Sequence, residues 1–126
     1  EILHVPRYTH IPGVHPFMMG AANVRGRLLP LVDLAGFFEV PRSSRSTRER
    51  RVLVVEQGDV FSGLVVDSVS GMQYFAVDSF VASPQDVPAS VQPFVNGGYE
   101  RNEEVWKVFS AAELLGDERF LDVAQW

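Results

Sequence analysis

Cysteine is absent from these 126 residues, which removes disulfides, thiolate nucleophiles and zinc-thiolate centres together. Long apolar runs are missing too: no stretch approaches the ~20 residues that span a bilayer, and no signal-peptide pattern opens the chain. A cytoplasmic protein with no direct membrane insertion is expected. Histidine is scarce, with only His4, His10 and His15, and their spacing does not make the i, i+4 pair of a helical zinc site. No Gly-x-Ser-x-Gly elbow, phosphate-cradling Gly-x-x-x-x-Gly-Lys or Gly-x-Gly-x-x-Gly occurs, and the carboxylate pairs Glu103-Glu104 and Asp117-Glu118 sit at a turn and a helix end. The sequence offers no active site, so neither an enzyme nor a cofactor or metal is expected.

A hydrophobic fraction of 46% and a charged fraction of 21% describe a folded chain, and its length fits one domain that buries roughly two-thirds of its unfolded surface. Charge is uneven. Residues 41–51 carry Arg42, Arg45, Arg48, Arg50 and Arg51 against Glu49, a balance of +4, while the other 115 residues hold 6 bases and 15 acids, a balance of −9. Arginines among serines suit a solvated loop between structured halves. An acidic body repels a polyanion, and the aromatics Phe37, Phe38, Phe61, Trp106 and Phe109 lie in core-like apolar runs, so nucleic acid is not an expected partner.

Residues 16–38 slide onto residues 93–115 without a gap. Pro16 meets Pro93, Phe17 meets Phe94, Gly20 meets Gly97, and Asp33 meets Ser110. Each copy reads as a turn, two strands around a tight polar connection, and a short helix capped by Asp33 or by Ser110 with Glu113. Gly26 supplies the positive φ of the first connection and Asn102 that of the second. Two copies argue for two related barrels or sheets rather than a solenoid. Residues 51–57 and 60–67 form a hairpin around Gly58-Asp59, covered on both faces, with Gly63 marking a bulge or close approach. Residues 72–77 read as a further strand, residues 83–93 as a proline-broken connector, and a short helix before Pro6 is a further candidate.

The stretch Gly20-Ala21-Ala22-Asn23-Val24-Arg25-Gly26, continuing through Pro30 to Asp33-Leu34, resembles the Gly-x-x-Asn-Leu-Arg-Gly-x-x-x-Pro-x-x-Asp-Leu signature of CheW-like domains, with Val24 in place of leucine. Likeness continues in residues 51–56 and in Gly63-Leu64-Val65-Val66-Asp67, and so covers nearly the whole chain. Residues 57–80 and the ending Phe120-Leu121-Asp122-Val123 look most like the adaptors of the pilus chemosensory system. The resemblance implies a mostly β single domain, residues 1–126, made of two intertwined five-stranded SH3-like barrels with short helices and a groove between them. It implies a non-catalytic adaptor in membrane-receptor arrays, coupling the cytoplasmic tip of a methyl-accepting receptor to the regulatory domain of a CheA-type histidine kinase and controlling twitching motility. The regulatory domain of such a kinase shares the fold and is the alternative; a small β-barrel nucleic-acid-binding module is a distant one.

Carried over residue by residue, the resemblance places Arg25, Glu1, Gly20, Gly63, Val69 and Met72 at the receptor groove, with Asn23, Arg25 and Gly26 forming the motif. It puts Glu1 on a helix, paired with Arg25. Relatives carry about two strands ahead of that helix, and the chain opens at Glu1 without methionine. The expectation is therefore an N-terminally incomplete domain whose first barrel lacks ladder partners unless upstream residues or another chain supply them.

Overall fold

The computed structural model describes residues 1–12, 15–42 and 47–124. Its strands are β1 (Ile2–His4), β2 (Met18–Val24), β3 (Arg27–Asp33), β4 (Arg51–Gln57), β5 (Val60–Val66), β6 (Phe80–Val81), β7 (Val95–Arg101) and β8 (Glu104–Phe109). Short helices α1 (Leu34–Phe38) and α2 (Ala111–Leu115) follow strands, α3 (Glu118–Ala124) follows α2, and 3-10 turns precede β6 and β7. The chain divides into two compact units, Glu1–Val69 with Leu115–Trp126, and Ser70–Leu114.

The first unit holds a five-stranded sheet in the order β1-β4-β5-β3-β2, antiparallel except for the β3-β5 pair. Its two edges are joined beyond β1, where Thr9 and Ala21 exchange backbone bonds of 2.8 and 3.0 Å. That closure makes a small barrel, which removes the open edges of a sheet. Ala22, Leu29, Leu31, Val52 and Val65 fill its interior, with Leu3, Val54 and Phe61 packed against them. On the other face of β3 and β5 lie α1 and α3. There Phe37 meets Phe17, Phe38 and Phe120 edge to face, with ring centroids 5.1 to 5.6 Å apart. Each buried ring contributes roughly 1.5–3 kcal/mol through the surface removed from water. Coverage on both faces is what the unalternating apolar run of β5 predicts; β4 is only half-buried on the side away from the interior.

In this unit the described residues form a five-stranded sheet, and the N-terminal residues form β1 rather than a helix. The expectation of a helical Glu1 is therefore corrected, and the described residues of this unit supply the ladder partners of β1 and β4 themselves. Strand β1 is held by β4 across the ladder Ile2↔Leu53 to His4↔Arg51, and Glu1 extends it by accepting a bond from the Val54 amide at 2.8 Å. Gly63 makes a close approach without a bulge: a Cβ there would lie 2.7 Å from Val52 and 2.9 Å from Leu31.

The second unit contains the three-stranded sheet β6-β7-β8. Residues 72–77, expected as a strand, have no ladder partner among the described residues: 72–76 are extended and Val77 opens a 3-10 turn. Their extended path is held by side chains instead. Gln73 accepts from the Arg101 guanidinium at 2.8 Å, and Phe75 stacks on Tyr99 and tilts against Trp106 at 5.6 and 5.5 Å. Trp106 and Phe109 are half-buried, while Phe37 and Phe38 are buried as expected.

The duplication read at a spacing of 77 residues returns in the backbone of each unit. Hairpin β2-β3 and hairpin β7-β8 both carry a register shift, at Met18/Gly20 and at Val95/Gly98. Asp33 donates its amide to the Phe17 carbonyl at 2.8 Å, and Ser110 donates to Phe94 at 2.7 Å. Arg25 and Asn102 share φ 53°.

Candidate functional site

The apex between β2 and β3 is built by Asn23, Arg25 and Gly26. Two-residue hairpin loops of the type that follows strand twist need positive φ at both central positions, and Arg25 (φ 53°) and Gly26 (φ 80°) supply them. The Asn23 side chain fixes the turn by accepting from the Gly26 amide at 3.0 Å. Each motif residue therefore has a distinct backbone task, and the turn projects Arg25 from the barrel end.

Arg25 meets Glu1 in a bidentate pair; its Nη1 donates to Glu1 Oε1 at 2.8 Å and its Nη2 donates to Oε2. The Arg25 side chain is 72% exposed and that of Glu1 35%. Such a fork fixes the plane of the guanidinium more than it stabilises the fold, since an exposed pair contributes only ~0–1 kcal/mol. The pair anticipated from the family motif thus forms, with Glu1 at the head of a strand.

A second arginine-glutamate pair lies at the same end of the sheet. Arg27 alternates in register with the interior residues Leu29 and Leu31, so its guanidinium closes the barrel mouth, 3.7 Å over the Phe61 ring and bonded to Glu56 at 2.9 and 3.2 Å. Hydrogen bonds from Arg27 hold the Glu56 carboxyl below its ordinary value. Sequence reasoning missed this pair because its members are 29 positions apart and meet only through β-pairing.

The remaining proposed residues divide by environment. Gly20 is buried, with φ 152°, and a Cβ there would come within 2.2 Å of the Thr9 carbonyl oxygen, so glycine permits the edge-to-edge closure. Gly63 sits among the barrel's apolar side chains. Val69 is 40% exposed at the end of the first stretch of unit one. Met72 belongs to the second unit and is 83% exposed, with Tyr74, Val77 and Phe80 also exposed in the same segment.

Arg42 departs from the solvated-loop expectation. Its guanidinium bonds Asp33 through Nη2 and Asp67 through Nη1 at 3.1 Å, with side chains only 31%, 12% and 10% exposed. Burial pulls its pKa down, and the two carboxylates outweigh that and raise it. Asp33, expected to cap α1 with its side chain, makes no cap bond and takes Arg42 instead. Ser110 keeps its expected role, accepting from the Glu113 amide at 3.2 Å. Residues 43–46 of the arginine-rich stretch lie outside the described residues. Among the described residues no group of three or more His, Asp or Glu side chains converges on a metal position.

The site is thus a closed small barrel with an oriented, exposed arginine at a hairpin apex. The chain belongs to the CheW-like domain family, whose model matches residues 1–119. It is 52% identical to Protein PilI of Pseudomonas aeruginosa over 124 residues, covering 98% of this chain and 68% of that protein. It is also 26% identical to Protein FrzA of Myxococcus xanthus, over 99% of this chain and 78% of that one. The crystal structure of the scaffolding protein TtCheW from Thermoanaerobacter tengcongensis superposes with a TM-score of 0.70 at 25% identity, over 87% of this chain and 74% of the other. The mostly β, SH3-like architecture and the adaptor class follow from these matches.

Proposed function

We propose that this CheW-like adaptor couples the cytoplasmic signalling tip of a methyl-accepting receptor to the regulatory domain of a CheA-type histidine kinase, in the system that controls type IV pili and twitching motility. The observation that carries the receptor half is Arg25, exposed at a hairpin apex and held in plane by Glu1. A planar fork fixed in this way suits recognition of a carboxylate or of carbonyl oxygens on a partner helix. Val69 offers exposed apolar surface in the same unit as Arg25, Met72 offers its own in the second unit, and the buried Gly20 and Gly63 act through the barrel backbone they permit. The pilus assignment rests on likeness to PilI. No helix among the described residues is long and apolar enough to cross a membrane. The adaptor works in the cytoplasm beside receptor arrays, without catalysis, by biasing a two-state assembly through its contacts.

Calorimetric titrations with a receptor-tip fragment and with the kinase regulatory domain test this reading. Both partners bind the wild type, and Arg25→Glu loses the receptor fragment while keeping the kinase domain. A folded protein that binds neither would overturn the proposal.

A further inference from the structure

With no cysteine and three methionines, the chain carries its only sulfur as thioether. Met18 is 1% exposed within the first unit, and Met19 is half-buried beside it on β2. Met72 is 83% exposed. Its setting is also specific: the Tyr74 hydroxyl, on a side chain itself 81% exposed, points at the Met72 sulfur from 3.7 Å. Residues 72 and 74 lie on one side of an extended segment whose other side is fixed by Gln73 on Arg101 and Phe75 on Tyr99. The two outward side chains are thereby kept next to each other.

We propose that Met72 is a reversible oxidation site for hydroperoxides, with Tyr74 as the partner of the oxidised form, and that its modification weakens the receptor surface; this second half rests on the adaptor reading above. In the forward step the sulfur lone pair attacks one peroxide oxygen, the S–O bond forms as the O–O bond breaks, and with hydrogen peroxide the leaving oxygen departs as water. Sulfur loses the two electrons that the peroxide gains. Reversal consumes two thiols, yielding a disulfide, water and the thioether, the chemistry of methionine sulfoxide reductases.

A thioether is a weak acceptor, whereas the sulfoxide oxygen is a strong one within reach of the Tyr74 hydroxyl. That bond immobilises a side chain whose value at a docking surface is its adaptability. The new oxygen also brings a further lone pair that must be desolvated when a partner helix covers the segment. The access of the three sulfurs orders their reactivity, Met72 first and Met18 last.

The test treats the full chain with limiting hydrogen peroxide, maps the added oxygen by peptide mass spectrometry, and titrates the product with the receptor-tip fragment. Met72 is expected to be modified ahead of Met18 and Met19. Receptor affinity then falls on the order of tenfold, the scale of spoiling one contributing interface side chain. Methionine sulfoxide reductase with dithiothreitol restores it, and Met72→Leu binds the fragment equally well with and without peroxide. Oxygen spread evenly over the three methionines, an oxidised Met72 with unchanged affinity, or a Met72→Leu protein that loses affinity to peroxide would each overturn the proposal. If the untreated protein does not bind the fragment, the adaptor reading fails instead, and the mapping alone decides whether Met72 is the preferred site.

Discussion

Arg25 holds a left-handed backbone conformation that costs a side chain other than glycine on the order of 1 kcal/mol, and its ion pair with Glu1 is too exposed to offset that cost reliably. A residue kept under those conditions is better explained by what it presents than by what it stabilises. Replacing it with glutamate sets two carboxylates side by side at the barrel end, so Arg25→Glu is expected to abolish receptor-fragment binding while the thermal transition stays sharp. A collapsed transition would show that Arg25 is a folding residue. Glu56 makes a different prediction, governed by pH. Its folded pKa is depressed by Arg27, so its contribution is present above the ordinary glutamate value and lost as pH falls through the depressed one. The difference in Tm between wild type and Glu56→Gln should therefore hold steady from pH 7 down to the ordinary glutamate value, about pH 4.3, and shrink only as the pH falls further; a difference that held constant well into acid would mean that the Arg27 pair adds nothing. Asn23, Arg25 and Gly26 were legible in the sequence because their tasks are local to one turn, whereas the Arg27-Glu56 pair depends on a strand register that no local pattern states.

Among the elements, the segment after α1 differs most from a solvated loop. Arg42 ties it to the end of β3 through Asp33 and to the residue following β5 through Asp67. Its removal leaves the Asp33 carboxylate buried, and Arg42→Ala should cost about 2–3 kcal/mol, less than a fully buried pair because the guanidinium is partly open to solvent. The midpoint of urea unfolding measures this, and a change under about 0.5 kcal/mol, the size of an ordinary surface substitution, would contradict it. A run of arginines among serines gives no sign that one of them is internal, since both carboxylates reach it only once β3 and β5 lie side by side. Residues 72–76 show the opposite failure. Their alternation of outward Met72 and Tyr74 with inward Gln73 and Phe75 has the period of a strand, but period reports which side is covered and not whether a neighbour supplies a ladder. Hairpins β2-β3, β4-β5 and β7-β8 were legible because turn residues and apolar runs agree there. Helix α3 was not, although Asp117 marks its start by accepting from the Arg119 and Phe120 amides at 3.0 and 3.2 Å.

For the whole molecule, a unit repeated at 77 residues has been used twice with different surfaces. The first copy ends in the exposed Arg25 apex, while the second carries Asn102 and Glu103 at the matching positions, both with positive φ. Similar hairpins with unequal apices suit the proposed adaptor, which needs a different surface for each partner. The most direct measurement is co-sedimentation of a CheA-type kinase with receptor-tip fragments displayed on vesicles, with and without this protein. The account predicts that the kinase is recruited more strongly when the protein is added, and that Arg25→Glu abolishes that gain while still binding the kinase in solution. Recruitment that is unchanged by the protein, or equal with the Arg25→Glu variant, would contradict it.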